Sequence, residues 1–249
     1  MRLRLQVLLI VSVLPRCLSA QALAQRVAVV EEGTVRLSFA ARPGICGDWE
    51  DGITVRDNSD EWQADCGPRP VRVALRVRDH RVYSVRTYVG GRWLPDRLST
   101  DLGTVRAGEA ADYFVGLAER GGDTRVGGDP LLPAVLADSV VIWPSLLRLA
   151  RTPKVSEDTR SKAVFWLSQA AGDAAGTALD SIVHDDRGDR EIRKKAIFAL
   201  SQRSNDEGVP ALIRIARANP DPELRKTALF WLGQSEDPRA LDLFEEILR

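Results

Sequence analysis

The sequence predicts an α+β organisation by domain: a small antiparallel β domain followed by an α-solenoid of helical hairpin repeats. Three observations carry this. One octet is written three times at nearly constant spacing, as KAVFWLSQ (162–169), KAIFALSQ (195–202) and TALFWLGQ (227–234). Apolar and polar residues alternate through VRVALRVRDHRVYSVRTYV (71–89), the period of a strand. From about residue 106 the alternation gives way to helical spacing. The expected division is a leader over 1–24, a β domain over 25–105 and a solenoid over 106–249.

The leader is read from MRLRLQVLLIVSVLPRCLSAQALAQ. Arg2 and Arg4 form a positive start, Leu5 to Leu14 an apolar stretch, and Ala22-Leu23-Ala24 a small-x-small cleavage pattern, in the order of a secretory signal peptide. The apolar run is about half the 20 residues a membrane helix needs, and no span is expected after cleavage. Leu14-Pro15-Arg16 ahead of Cys17 does not resemble a lipobox. The expected location is therefore exported, periplasmic or secreted. Removing the leader leaves 32 basic against 35 acidic residues, a net charge of −3. That balance argues against a nucleic-acid partner. Cys46 and Cys66 are then the remaining cysteines. In an exported chain they are most simply a disulfide, closing a loop whose constraint contributes roughly 3 kcal/mol in the chain-entropy model.

Within the β domain, TVRLSFAA (34–41) puts Val35, Leu37 and Phe39 on one face. Segment 71–89 reads as a hairpin. A three-residue loop at 79–81 pairs Val77 with Tyr83, Leu75 with Val85, Val73 with Thr87 and Val71 with Val89, apolar against apolar. Residues 69–97 carry eight arginines, and 48–65 carry seven acids. Two readings stay open: an acidic loop folded over a basic face, or a basic face for an anionic polymer.

The helical half begins with GEAADYFVGLAERGG (108–122). In the last octet Asp221 is placed as an N-cap and Pro222 at the first helical position. With Leu224 at zero on a wheel of about 100° per residue, Ala228, Trp231 and Leu232 share an arc. A second helix follows each octet: GTALDSIVHDD, GVPALIRIARANP and PRALDLFEEILR, with WPSLLRLARTP preceding the first. The unit is helix, turn, helix, with a period of 32–33 residues, and stacking supplies the core that one unit lacks. Phe165, Trp166, Leu167, Phe198, Leu200, Phe230, Trp231 and Leu232 are expected to fill that stack. An exposed aromatic stripe is the competing reading of the phenylalanines. Gln169, Gln202 and Gln234 are expected to bond backbone groups of the inter-helix turns. Arg160, Arg193 and Arg225 are expected in interlayer ion pairs.

The stretch DPELRKTALFWLGQSEDPRALDLFEEIL resembles a HEAT-like repeat of the short type also seen in phycobilisome lyases. Residues 221–248 match that pattern almost throughout. Residues 156–220 match with Ser156 or Asp189 replacing the Asp-Pro start. Residues 131–155 match only in the second helix. The resemblance implies an α-solenoid that binds another protein and brings no catalytic residue with it.

No H-E-x-x-H, G-x-S-x-G, G-x-G-x-x-G or Walker pattern occurs. No catalytic residue, metal ligand or cofactor is expected, and DDRGDRE (185–191) reads as a turn. The expectation is a non-enzymatic interaction scaffold. The alternative is an enzyme or enzyme partner that uses the repeats to hold a protein substrate. The candidate protein-binding residues lie on the second helices: Arg148, Arg151, Asp180, His184, Arg214, Arg217, Asp242 and Glu245.

Overall fold

The structure, a computed structural model, describes residues 23–48, 52–55, 69–121, 129–170 and 173–249. It opens on a short helix, α1 (23–28). Strands β1 (Gly33–Ala40), β4 (Pro70–Arg78), β5 (Arg81–Val89) and β6 (Ser99–Thr104) form one sheet in the order β5-β4-β1-β6. Strands β2 (Ile45–Asp48) and β3 (Gly52–Val55) form a separate antiparallel pair. The four-stranded sheet is mixed rather than wholly antiparallel, because β6 returns parallel to β1.

The hairpin keeps the expected pairs Leu75–Val85, Val73–Thr87 and Val71–Val89. Its tip differs. Asp79 and His80 form a two-residue turn with φ of 52° and 59°, and Val77 pairs with Val82. A register shift after Arg76 absorbs the odd residue, so Tyr83 is the bulge. Two left-handed residues match the strand twist better than a three-residue loop, and a bulge restores the apolar pairing below it. His80 is held in place: its amide donates to Glu31 O at 3.1 Å and its Nδ1 to Ala28 O at 2.8 Å.

One sheet face is buried by its alternation. Val35, Leu37, Phe39, Val71, Val73 and Leu75 are fully buried. Helix α2 (Ala107–Arg120) lies on this face, with Phe114 and Phe39 ring centroids 6.2 Å apart. Then come α3 (Leu131–Val135), α4 (Trp143–Arg151), α5 (Glu157–Ser168), α6 (Asp173–Val183), α7 (Arg190–Ser201), α8 (Asn205–Ala218), α9 (Pro222–Gly233) and α10 (Pro238–Leu248). Successive hairpins α5/α6, α7/α8 and α9/α10 stack as layers. One contiguous apolar core runs from the sheet to α10. The junction is also bonded through the backbone: Ala41 bridges Ala137, Arg42 N donates to Leu136 O, and Asp138 N to Ala40 O.

Two expectations bear on the chain's start and its staple. Leu23 and Ala24, placed inside the leader, are helical in α1, and Leu23 is fully buried in the core. The Cys46–Cys66 bridge involves Cys66, which lies outside the described residues, as does most of the acidic segment 48–65.

Candidate protein-interaction site

The stack presents two faces, and both carry a repeating pattern. On the second-helix face most of the eight charged candidates are held by partners, though one pair alone, Asp180 with Arg214, joins two of them across layers. Arg148 of α4 reaches Glu119 of α2 at 2.6 Å. Arg151 donates to Ser181 O at 2.6 Å and lies 3.8 Å from Asp185. Asp180 of α6 faces Arg214 of α8 at 3.6 Å, and His184 folds back on Asp180 O at 2.8 Å. Arg217 of α8 pairs with Glu246 of α10. Glu245 is engaged by Arg249, the residue that follows its helix, while Asp242 is exposed. The charges read from the sequence are thus mostly neutralised, but chiefly by other residues: Glu119, Asp185, Glu246 and Arg249. Exposed pairs of this kind contribute about 0–1 kcal/mol each.

The first-helix face is built differently. Ala163, Leu167, Ala196, Leu200, Ala228 and Leu232 are buried. Phe165, Phe198 and Phe230 stand midway between those pairs and are 52%, 43% and 59% exposed. The phenylalanines therefore do not fill the stack, contrary to the expectation that a flank position faces the next layer. Each sits two residues from two core positions, and at about 100° per residue that places it on the opposite side of its helix. Trp166 and Trp231 are half-buried beneath them. Phe165 packs on Trp166 at 5.0 Å, Phe230 on Trp231 at 5.0 Å, and Phe198 reaches across the layer to Trp231 at 4.8 Å. The Trp166 indole donates to Asp129 at 2.9 Å, which fixes the ring.

Charges and amides border this aromatic row. On the side toward the helix starts, Lys162, Lys194 and Lys226 pair with Asp158, Glu191 and Glu223 of their own helices. On the other side stand Gln169, Gln202 and Gln234, all exposed. They do not bond the inter-helix turns as expected. Gln169 and Gln202 each donate to the preceding serine hydroxyl, at 3.1 and 3.2 Å.

The ends of the first helices fix the layer register. Asp189 and Asp221 cap α7 and α9, accepting from Glu191 N and Glu223 N at 2.9 Å. Each cap also takes an arginine from the layer before, Arg160 at 3.2 Å and Arg190 at 2.9 Å. Burial pulls both carboxyls upward, but the amide and guanidinium donors outweigh it, so both lie below the ordinary carboxylate range. At Asp237, cap of α10, the bidentate Arg239 guanidinium dominates and holds the carboxyl at about 2. Arg193 is buried and donates to Val183 O at 2.8 Å. Arg225 instead bonds the backbone carbonyls of Asn219 and Pro220. On the sheet's outer face Arg36 lies over Trp93 at 4.9 Å and bonds Leu94 O and Asp96.

Among the described residues no group of three or more His, Cys, Asp or Glu is placed to hold a metal. None of their helices is long and apolar enough to cross a membrane. The chain has no significant match among curated proteins. Residues 183–249 match the family model of HEAT repeats, from the last residue of α6 through α7–α10. Residues 183–249 are thus a HEAT-repeat segment, which holds the second and third of the three octets.

Proposed function

We propose that this protein is an exported, non-enzymatic scaffold that docks another protein on the aromatic row of its HEAT-type stack. The carrying observation is the exposure of Phe165, Phe198 and Phe230 at one repeat position. Large apolar side chains aligned on a surface mark interaction sites far more often than scattered ones do, and aromatic residues supply much of the energy at interface centres. The charged second-helix face is the weaker docking candidate, since its ions already have partners across layers. HEAT repeats typically mediate protein interactions, which supports the general reading.

Export rests on the positive start, apolar stretch and small-x-small pattern that follow one another in the first 22 residues. Because Leu23 belongs to the core, the cut is assigned ahead of it, at the small-x-small pattern Ala20-Gln21-Ala22. N-terminal sequencing of the protein recovered outside the cytoplasm should then begin at Leu23. A protein found in the cytoplasm alone, still beginning at Met1, would sink the export reading. Docking is tested by photo-crosslinking in the producing cells, with benzoylphenylalanine placed at position 198 or 214. A discrete adduct from 198 and none from 214 is expected. Adducts from 214 alone, or from neither, would refute the aromatic row as the docking face.

A further inference from the structure

We infer that the cavity between α1, the tip of the β4–β5 hairpin and the C-terminal half of α2 binds a small amphipathic anion, a carboxylate or phosphate head on a compact apolar body. The inference is independent of the docking reading above and concerns a different part of the molecule.

The first observation is how the cavity is built. Ala24, Val27 and Ala28 follow one another at helical spacing and form one side of it on α1. Tyr113, Leu117 and Arg120 do the same on α2. The hairpin tip closes the gap with His80, Arg81 and Val82. The bonds of His80 to Ala28 O and Glu31 O pin that tip to α1 and to the chain that follows it. The cavity is therefore preformed, and its volume of about 510 Å³ is in the range of small-molecule sites.

The second observation is charge. Arg81 and Arg120 both line the cavity, and among the described residues no Asp or Glu does. Arg36, Arg160 and Arg217 each have a carboxylate within reach. Neither Arg81 nor Arg120 has a carboxylate or carbonyl partner among the described residues. Arg120 folds back along α2, where its Nη1 would lie 3.0 Å from a Cβ on Gly116, and its charge acts on the Tyr113 hydroxyl. The guanidinium is thus carried toward the Tyr113 side of the cavity.

The third observation is Tyr113 itself. It is 5% exposed and packs edge-on against Phe114 at 5.2 Å. Its hydroxyl has no hydrogen-bond partner among the described residues, whereas a buried tyrosine usually finds one. Burial pushes this phenol up to about 12, against the opposing charge of Arg120. It therefore keeps its proton and can donate.

An oxyanion supplies what these three groups lack. Guanidinium forks match the oxygens of carboxylates and phosphates, and either head accepts from the phenol. Val27, Val82 and Leu117 line the same cavity with apolar side chains, against which the body of the ligand loses water. A head alone forgoes that contact, and a neutral body leaves both arginines unmatched.

The test is isothermal titration of the purified full chain with octanoate, octyl phosphate, 1-octanol and acetate. Octanoate or octyl phosphate is expected to saturate one site, the tighter of the two identifying the head. Octanol and acetate should bind at least about tenfold more weakly. Arg81→Gln and Arg120→Gln should each weaken the amphiphile by about tenfold, and Tyr113→Phe by less. Arg187→Gln, in the turn between α6 and α7, should leave it unchanged. Both cavity arginines are exposed, so their variants should melt with the parent. Should either lose its fold, amide shifts of the parent on titration decide instead, and they must centre on residues 80–82 and 113–121. No saturable binding overturns the inference. So does octanol binding as tightly as the anions, or binding that neither arginine variant weakens.

Discussion

Phe198 and Leu200 are two residues apart on α7, yet Phe198 is 43% exposed and Leu200 is 1% exposed. Fully burying an apolar side chain contributes roughly 1.5–3 kcal/mol, so the half-buried Phe198 stands for about 1. Leu200→Ala leaves a cavity and should cost about 2–5 kcal/mol. Urea unfolding of the two alanine variants should therefore give clearly different midpoints. Equal losses would mean that Phe198 is a core residue after all. The sequence contained the geometry for this but not its weighting. Counting 100° per residue from Ala196 and Leu200 puts Phe198 on the far side of α7. The sequence reading set the phenylalanines on a flank of the apolar arc, where they would face the next layer, whereas Phe198 stands well outside that arc. The glutamines were misjudged for a related reason. A preceding serine at positions 168 and 201 offers a nearer acceptor than the turn backbone.

At the scale of elements, α8 approaches α7 closely at one point. A Cβ built on Gly208 would lie 2.4 Å from Leu200 O, a backbone atom that cannot rotate away. Gly208→Ala should therefore push the two helices apart and cost about 1–3 kcal/mol or more. Gly108 in α2 has open space where its Cβ would be. Gly108→Ala should be stabilising by about 0.5–1 kcal/mol, because it removes chain entropy from the unfolded state. Opposite shifts in melting temperature are expected, and a neutral Gly208→Ala would refute the tight crossing.

The caps add a pH dependence. Asp189, Asp221 and Asp237 have carboxyls depressed in the folded state. Their contribution is present above the unfolded value of about 3.9 and is lost as pH falls toward the folded values, which for Asp237 is about 2. Asp237→Asn keeps a capping oxygen and loses the charge. Its stability should fall less steeply between pH 4 and about 2 than that of the parent, and an identical slope would exclude Asp237 as a contributor. Elements of this kind were the most legible. Asp221 and Pro222 stand where the sequence put them, because capping chemistry is local. The hairpin register below its tip was also readable from apolar pairing. The two left-handed residues and the bulge were not, since Asp-His carries no glycine to announce the turn.

At the scale of the whole molecule, the division into a β half and a helical half was readable from the change of period. That the two share one core was not. Such contacts join residues far apart in sequence, such as Phe39 with Phe114, and no local pattern marks them. The bridge from Ala41 to Ala137 and the bonds on either side of it clamp the sheet to the start of the helical array. The sheet covers α2, the first helix of the helical half, and in that position would act as a terminal plug. A solenoid with a bare end offers its next copy an apolar template, and growth along the axis follows. The fragment 106–249, stripped of the sheet, would bare Phe114 and its buried neighbours on α2. Light scattering should find that fragment associating with concentration while the full chain does not. A fragment that stays monomeric would mean the helices close their own end. The β half would in that case be a passenger; if the fragment associates, it is what makes an open-ended architecture a finite particle.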